Sequence, residues 1–190
     1  VPRQSSPEAS ARERLIESAR ALLWERGYVG TSPKAIQQRA GAGQGSMYHH
    51  FPGKQALALA AIRRTADALR AAADEALSAP GAPAERVAGY LRRERDVLRG
   101  CPIGRLTQDP DVMADPVLRA PVEETFAWLR ERVAAVLAED PRPAAEPAAL
   151  AAAVVAVLQG GYVLARAADD SRSFDLAISG ILSLLEGSGR

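Results

Sequence analysis

The chain has 190 residues, 47% hydrophobic and 25% charged, which excludes wholesale disorder and allows one ordinary domain or a small domain joined to a larger one. The net charge of +1 conceals an asymmetry: residues 1–66 carry ten Arg/Lys against four Asp/Glu, a balance of +6, and residues 67–190 carry fourteen against nineteen, a balance of −5. A basic first third suits contact with a polyanion, although chance clustering of charge gives the same count. The single cysteine, Cys101, excludes an internal disulfide framework and a multi-cysteine zinc site and fits a reducing compartment, and the polar opening VPRQSSPEASARER lacks the apolar run of a secretory signal.

Nearly every segment reads as helix, because the chain is rich in Ala, Leu and Arg and no stretch sustains strand-like alternation. Residues 1–9 read as a mobile polar arm with two prolines. Ser10 with Glu13 forms a capping-box pattern, and Leu15, Ile16, Ala19, Leu22 and Leu23 then share one helical face up to Gly27. Thr31 or Ser32 caps a short helix with Pro33 in its first turn, and Gly41 ends it after Ala40. A tight Gly-Ala-Gly turn leads to a third helix from Gln44 to about His50, stopped before Pro52-Gly53. A long fourth helix spans roughly 54–78. Prolines and glycines then delimit helices at about 84–99, 103–113, 116–139, 146–168 and 173–187, with a compact loop, PRPAAEP, at 141–147.

Two short helices joined by a glycine turn and braced by a preceding helix make a helix-turn-helix head. The second helix of such a head approaches base edges in a major groove, so it needs short or polar residues at its start. Gln44-Gly45-Ser46 supplies an amide, a position without a side chain and a hydroxyl, while Tyr48 and His49 follow one turn later, within reach of the backbone. The expected fold is therefore all-α: a three-helix helix-turn-helix head and a larger helical body, about nine helices in all. Its divisions are an arm at 1–9, a head at 10–53 that shares the start of the fourth helix to about 66, and a body at 54–190.

The residues Thr31-Ser32-Pro33-Lys34-Ala35-Ile36, Ala40-Gly41 and Gly45-Ser46-Met47-Tyr48-His49-His50-Phe51-Pro52-Gly53-Lys54 resemble the DNA-binding head of the TetR-type regulators over about residues 10–66. The resemblance implies phosphate contacts at Thr31, Ser32, Tyr48, His49 and Lys54, a backbone or base contact at Lys34, and base reading at Gln44, Gly45 and Ser46. It also implies that Ile36, Met47 and Phe51 pack the head. Gln37 stands where the family usually has a small alanine, and Ala42-Gly43 replaces a branched residue and a hydroxyl cap, which puts the operator sequence in doubt. The only two lysines among 24 basic residues, Lys34 and Lys54, both fall at implied contacts, though an arginine-biased chain could place them there by coincidence. Gly100-Cys101-Pro102-Ile103-Gly104 further resembles the branch that includes lincomycin-resistance and flavonoid-responsive repressors.

Other features have plainer readings. His49-His50 lacks carboxylates at metal-ligating spacing; His50 reads as a buried, hydrogen-bonded residue and His49 as groove-facing. Cys101 reads as buried or pocket-lining rather than redox-active. Residues 148–165 approach the length of a membrane span, but Gln159 and many small residues favour a buried helix. Small residues Ala152, Ala156 and Gly160 permit close helix approach, and Ile178, Ile181, Leu182 and Leu185 make the following helix apolar around much of its circumference; together they argue for a homodimer interface, the alternative being a monomer in which the rest of the body covers these faces. The family resemblance also implies a small-molecule pocket in the body, with Tyr90, Cys101, Met113, Phe126, Trp128 and Tyr162 as available linings and a largely hydrophobic effector. No metal or cofactor is called for, and no nucleophile–base set suggests an enzyme.

The combined expectation is a homodimeric, cytoplasmic, bacterial transcriptional regulator, a repressor released from a near-palindromic double-stranded DNA operator by a small effector, with no membrane partner. An activator, or a helical adaptor that keeps the fold without specific DNA binding, remain the alternatives.

Overall fold

The computed structural model describes residues 7–141 and 145–187, with side chains from Ala11 to Leu185 outside that gap. Among the described residues it contains nine α-helices, one 3₁₀ helix and no strand. Two compact units divide the chain: one holds the described residues up to Asp67 together with Pro102–Val122, the other Ala68–Cys101 with the described residues from Glu123 onward. The first unit thus takes in a segment after residue 100 that the sequence reading assigned to the body.

In the first unit α1 (Pro7–Arg26) starts three residues before the expected Ser10 cap, so residues 7–9 are helical; the rest of the expected arm lies outside the described residues. Leu15, Ile16, Ala19, Leu22 and Leu23 are buried on one face, as their spacing predicts. Gly27 ends the helix with φ 74°, a left-handed conformation that suits glycine. The next helix, α2 (Pro33–Ala40), is capped by the Ser32 side chain, which accepts from the Ala35 amide at 3.1 Å, and Gly41 closes it with φ 59°. It is followed by α3 (Gln44–His50) and the long α4 (Lys54–Leu77). Ile36, Met47 and Phe51 are buried with the α1 face, each such side chain contributing about 1.5–3 kcal/mol.

The expected helix over 103–113 is two elements: a 3₁₀ helix, Gly104–Gln108, and α6 (Pro110–Ala114). The break has a local cause. Asp109 is extended and its carboxylate accepts from the Val112 amide, while Pro110 has no N–H to continue a preceding helix. Likewise α5 (Pro83–Arg92) stops seven residues short of the expected 99, because Arg93 takes an extended ψ of 150°. After these, α7 (Pro116–Leu137) carries Pro121 in its second turn, near enough to the start for proline to be accommodated.

In the second unit α8 (Pro147–Ala168) packs along α9 (Arg172–Gly187). Gly161 makes the close approach possible: a methyl there would sit 3.0 Å from the Phe174 ring. Although α8 is long and apolar enough to cross a membrane, its buried face, Ala151, Val154, Val155, Leu158, Gly161, Tyr162 and Ala165, is spent on this unit's core. Opposite that face Val163 is 66% exposed and Leu164 55%, and on α9 Leu176 is 76% and Leu184 70% exposed.

Candidate nucleic-acid interface

The turn between α2 and α3 is built from backbone bonds and one side-chain bridge. The Ala42 amide donates to the Gln37 carbonyl at 3.0 Å and the Gly41 amide to the Gln38 carbonyl at 3.3 Å. The Gln37 side-chain amide donates to Met47 Sδ at 3.2 Å, tying α2 to α3. The residue that departs from the family's usual alanine therefore braces the turn. Arg14 of α1 adds a second tie, its Nε donating to the Ala40 carbonyl at 3.0 Å.

Met47 is 0% exposed, and this anchor sets the rotation of α3. Helical periodicity then turns Gln44, Gly45, Tyr48 and His49 to the opposite face, where all four are exposed, with Ser46 half-buried beside them. The helix begins at Gly43 with no side-chain cap, and a Cβ at Gly43 or Gly45 would meet nothing within 4 Å. This surface offers an amide, an imidazole and a phenol above a backbone that nothing obstructs. Lys34 and Ser32 are exposed at the start of α2.

Two expectations for this surface, at Thr31 and His50, need correction, and Lys54 carries a contact that its sequence does not show. Thr31 is 1% exposed and its hydroxyl donates to the Gly27 carbonyl at 2.6 Å, so that hydroxyl closes the α1–α2 turn and is not available to phosphate. Lys54 does not project freely: its ammonium lies 3.9 Å from the centroid of the Tyr28 ring. Burial holds the Lys54 pKa below the ordinary lysine value while the Asp109 and Asp111 charges oppose that shift. His50 is half-buried rather than buried, its ring edge-on to His49 at 5.0 Å.

Asp109 is the residue that the sequence reading missed. Its Oδ2 accepts from the amides of Tyr28 and Val29 at 2.7 and 3.0 Å, and its Oδ1 from Val112 at 3.3 Å. A buried carboxylate thus serves the α1–α2 turn and the start of α6 together. A methyl at Gly27 would come within 2.8 Å of Oδ2, which makes that glycine doubly specified. The Asp-Pro pair signals a helix cap in the sequence, but nothing local reveals an acceptor for amides eighty residues away. Nearby, Gln55 donates to Asp115 at 2.5 Å. Burial, reinforced by Asp115, Asp111 and Asp109, pushes the Tyr28 hydroxyl above its ordinary pKa.

In the second unit Tyr90 and Tyr162 are buried, and Cys101, Phe126 and Trp128 pack against the same core. Met113 belongs to the first unit, on α6. The Tyr162 and Phe174 rings lie 5.0 Å apart, and burial pushes the Tyr162 hydroxyl up to about 12. A cavity of about 480 Å³ opens between the end of α5 and α9. None of the six expected pocket residues lines it: the buried tyrosines fill the core instead, and the walls come from the α5 terminus, the stretch after it and one side of α9. On the expected dimer surface Ala152 and Ala156 are exposed and Gly160 and Leu185 half-buried, but Ile178, Ile181 and Leu182 are buried in the chain's own core. Those three face α8 and its neighbours because α9 must cover that core, which leaves Leu176 and Leu184 as its outward apolar residues.

Comparison with known proteins agrees with this architecture. Residues 15–61 match the model of bacterial regulatory proteins of the tetR family, and residues 76–179 match the C-terminal domain of LmrA/YxaF-like transcriptional regulators. The transcriptional regulator LmrA of Bacillus subtilis is 29% identical over 172 residues, covering 85% of this chain and 89% of that protein. The regulator YxaF of the same organism is 25% identical over 161 residues, covering 81% and 84%. The crystal structure of a TetR-family regulator from Agrobacterium tumefaciens shares the fold, with a TM-score of 0.84 at 22% identity over 94% of this chain and 98% of that one. With both its head and its body matched, the chain belongs to the TetR family of helix-turn-helix, DNA-binding transcriptional regulators, with an LmrA/YxaF-like C-terminal domain.

Proposed function

We propose that this protein is a cytoplasmic homodimeric repressor whose two α3 helices enter major grooves of a near-palindromic operator. The observation that carries the reading is the orientation of α3: Met47 points inward and Gln44, Gly45, Tyr48 and His49 share the exposed face. Gln44 and Ser46 read base edges, and Ser32, Lys34, Tyr48 and His49 fix the register on phosphates. Lys54 adds positive charge from its seat on Tyr28. Homodimerisation is supported by the outward leucines of α9 and by Val163 and Leu164 of α8, an apolar surface beside small residues that allow close approach. A small molecule bound in the second unit shifts the population away from the DNA-competent state, a coupling of about 1–3 kcal/mol.

Titration of the full chain into DNA from its own upstream region, at two salt concentrations, tests this reading. Binding is expected to be sequence-specific and to weaken steeply with salt. Tyr48→Ala and Lys34→Ala each lose phosphate contact, whereas Gln44→Ala relaxes sequence preference at a cost of about 1–3 kcal/mol. Binding indifferent to Gln44→Ala and to DNA sequence would remove α3 as the reader. A promoter–reporter assay in cells gives the sign of regulation.

A further inference from the structure

The cavity between α5 and α9 has walls of unequal chemistry. Leu91, Val97, Phe174 and Ile178 supply an apolar side, while Arg93 and Arg95 supply two adjacent cations. Each guanidinium carbon lies 5.3 Å from the centroid of the Tyr90 ring. The two arginines differ in their duties. Arg95 is a positioning residue: it donates to the carbonyls of Leu91 and Arg93 at 2.8 Å and of Tyr90 at 2.5 Å, closing the end of α5. Arg93 has no side-chain hydrogen bond or ion pair among the described residues, and the Nε atoms of both arginines are buried without a partner.

Several arginines elsewhere in this chain reach carboxylates, Arg39 meeting Glu25 at 3.0 Å, Arg64 meeting Glu13 at 2.9 Å and Arg132 meeting Asp74 at 2.7 Å, although Nε of Arg70 and Arg105 is also buried without a partner. Here two like charges sit side by side, and burial together with the Arg93 charge holds Arg95 below its ordinary pKa against the opposing pull of Tyr162 and Tyr90. Glu94 and Asp175 also line the cavity, but both are exposed and neither pairs with Arg93 or Arg95. Partly buried cations without counter-charge are costly, and an anion brought into the cavity relieves that cost. The planar fork of Arg93 suits a carboxylate, and a volume of 480 Å³ lies within the range of small-molecule sites.

We infer that this cavity binds an amphiphilic organic acid, whose carboxylate pairs with Arg93 in the field of Arg95 and whose apolar body lies against Phe174 and Ile178. The inference rests on the effector-controlled reading above and narrows the effector from a hydrophobic molecule to a hydrophobic anion.

Calorimetric titration of the full chain with 1-naphthoate and with its uncharged analogue 1-naphthalenemethanol tests the assignment. The acid is expected to bind about tenfold tighter than the alcohol, the contribution of one charge-assisted hydrogen-bonded contact. Arg93→Gln, which breaks no internal hydrogen bond or ion pair and loses only the contact with the Tyr90 ring, is expected to abolish that preference and Arg93→Lys to keep part of it. Ser179→Trp fills the cavity from α9 and is expected to exclude both ligands without touching an arginine. Equal affinity for acid and alcohol, a preference that survives Arg93→Gln, or no saturable binding of either ligand would overturn the site. Release of DNA is measured separately: acid that binds through Arg93 and leaves DNA binding unchanged ends the effector reading and spares the site. Release that persists in Arg93→Gln with no increase in the acid concentration required does the reverse.

Discussion

The two units solve different problems with different chemistry. The head presents polar side chains from helices of eight and seven residues, too short to persist alone. It holds them with individual ties: Asp109 on the Tyr28 and Val29 amides, Gln37 on Met47, Arg14 on the Ala40 carbonyl, Ser32 on Ala35. The body relies on apolar burial along α8 and α9, helices of 22 and 16 residues. Geometry that must meet a nucleic acid is held by directional bonds, whereas surfaces that meet apolar partners are specified by area.

The contrast can be broken most forcefully at the body's outward face. Leu176→Glu with Leu184→Glu places charges where apolar pairing is proposed; light scattering is expected to find one chain where the wild type shows two, with little change in the protomer's helical circular dichroism. Monomeric wild-type protein would remove the reason for that exposed face. In the head, Asp109→Ala strands the amides of Tyr28 and Val29 and uncaps α6, and is expected to cost about 3 kcal/mol in urea denaturation. A loss below about 0.5 kcal/mol would show that apolar packing alone holds the turn, erasing the distinction between the units.

A smaller effect is expected from pH. The hydrogen bond from Arg64 holds the Glu13 carboxyl below its ordinary 4.5, with the Arg64 and Arg12 charges assisting and burial opposing. Because the folded pKa is depressed, this contribution is present above about pH 4.5 and disappears as the pH falls through the lower folded value. Both partners are well exposed, so the gain is under about 1 kcal/mol and is screened by salt. Comparing the acid limb of stability for wild type and Glu13→Gln isolates it: the variant should lose that part of the pH dependence. The smallest effect is a gain. Gly43→Ser supplies α3 with the side-chain cap it lacks, into open space, and should raise stability by a few tenths of a kcal/mol, roughly the Gly-to-Ser difference at a helix cap. A decrease would mean that the turn needs glycine for a reason other than space.

Much of the head was legible before any coordinates. The apolar spacing from Leu15 to Leu23, the Ser32-Pro33 start, the Gly41 stop and the polar opening of α3 are local signals, each readable within one or two helical turns. The same locality explains the errors. Thr31 and Ser32 are equally good caps on paper, and only packing shows that one hydroxyl turns inward to Gly27 while the other caps α2. Ile178, Ile181 and Leu182 have the composition of an interface, but periodicity does not say which apolar side of an all-round apolar helix its own chain will use.

The sequence by itself determined the helical class, the order and approximate limits of the helices, the head motif and the concentration of positive charge, because these depend on residues near one another along the chain. Tertiary structure alone decided what depends on distant residues: the Asp109 tie to the α1–α2 turn, the outward face of α8 and α9, and two arginines left without carboxylates beside Tyr90. A hydrogen bond across eighty residues carries no periodic signature, and a missing counter-charge is visible only when every neighbour has been placed.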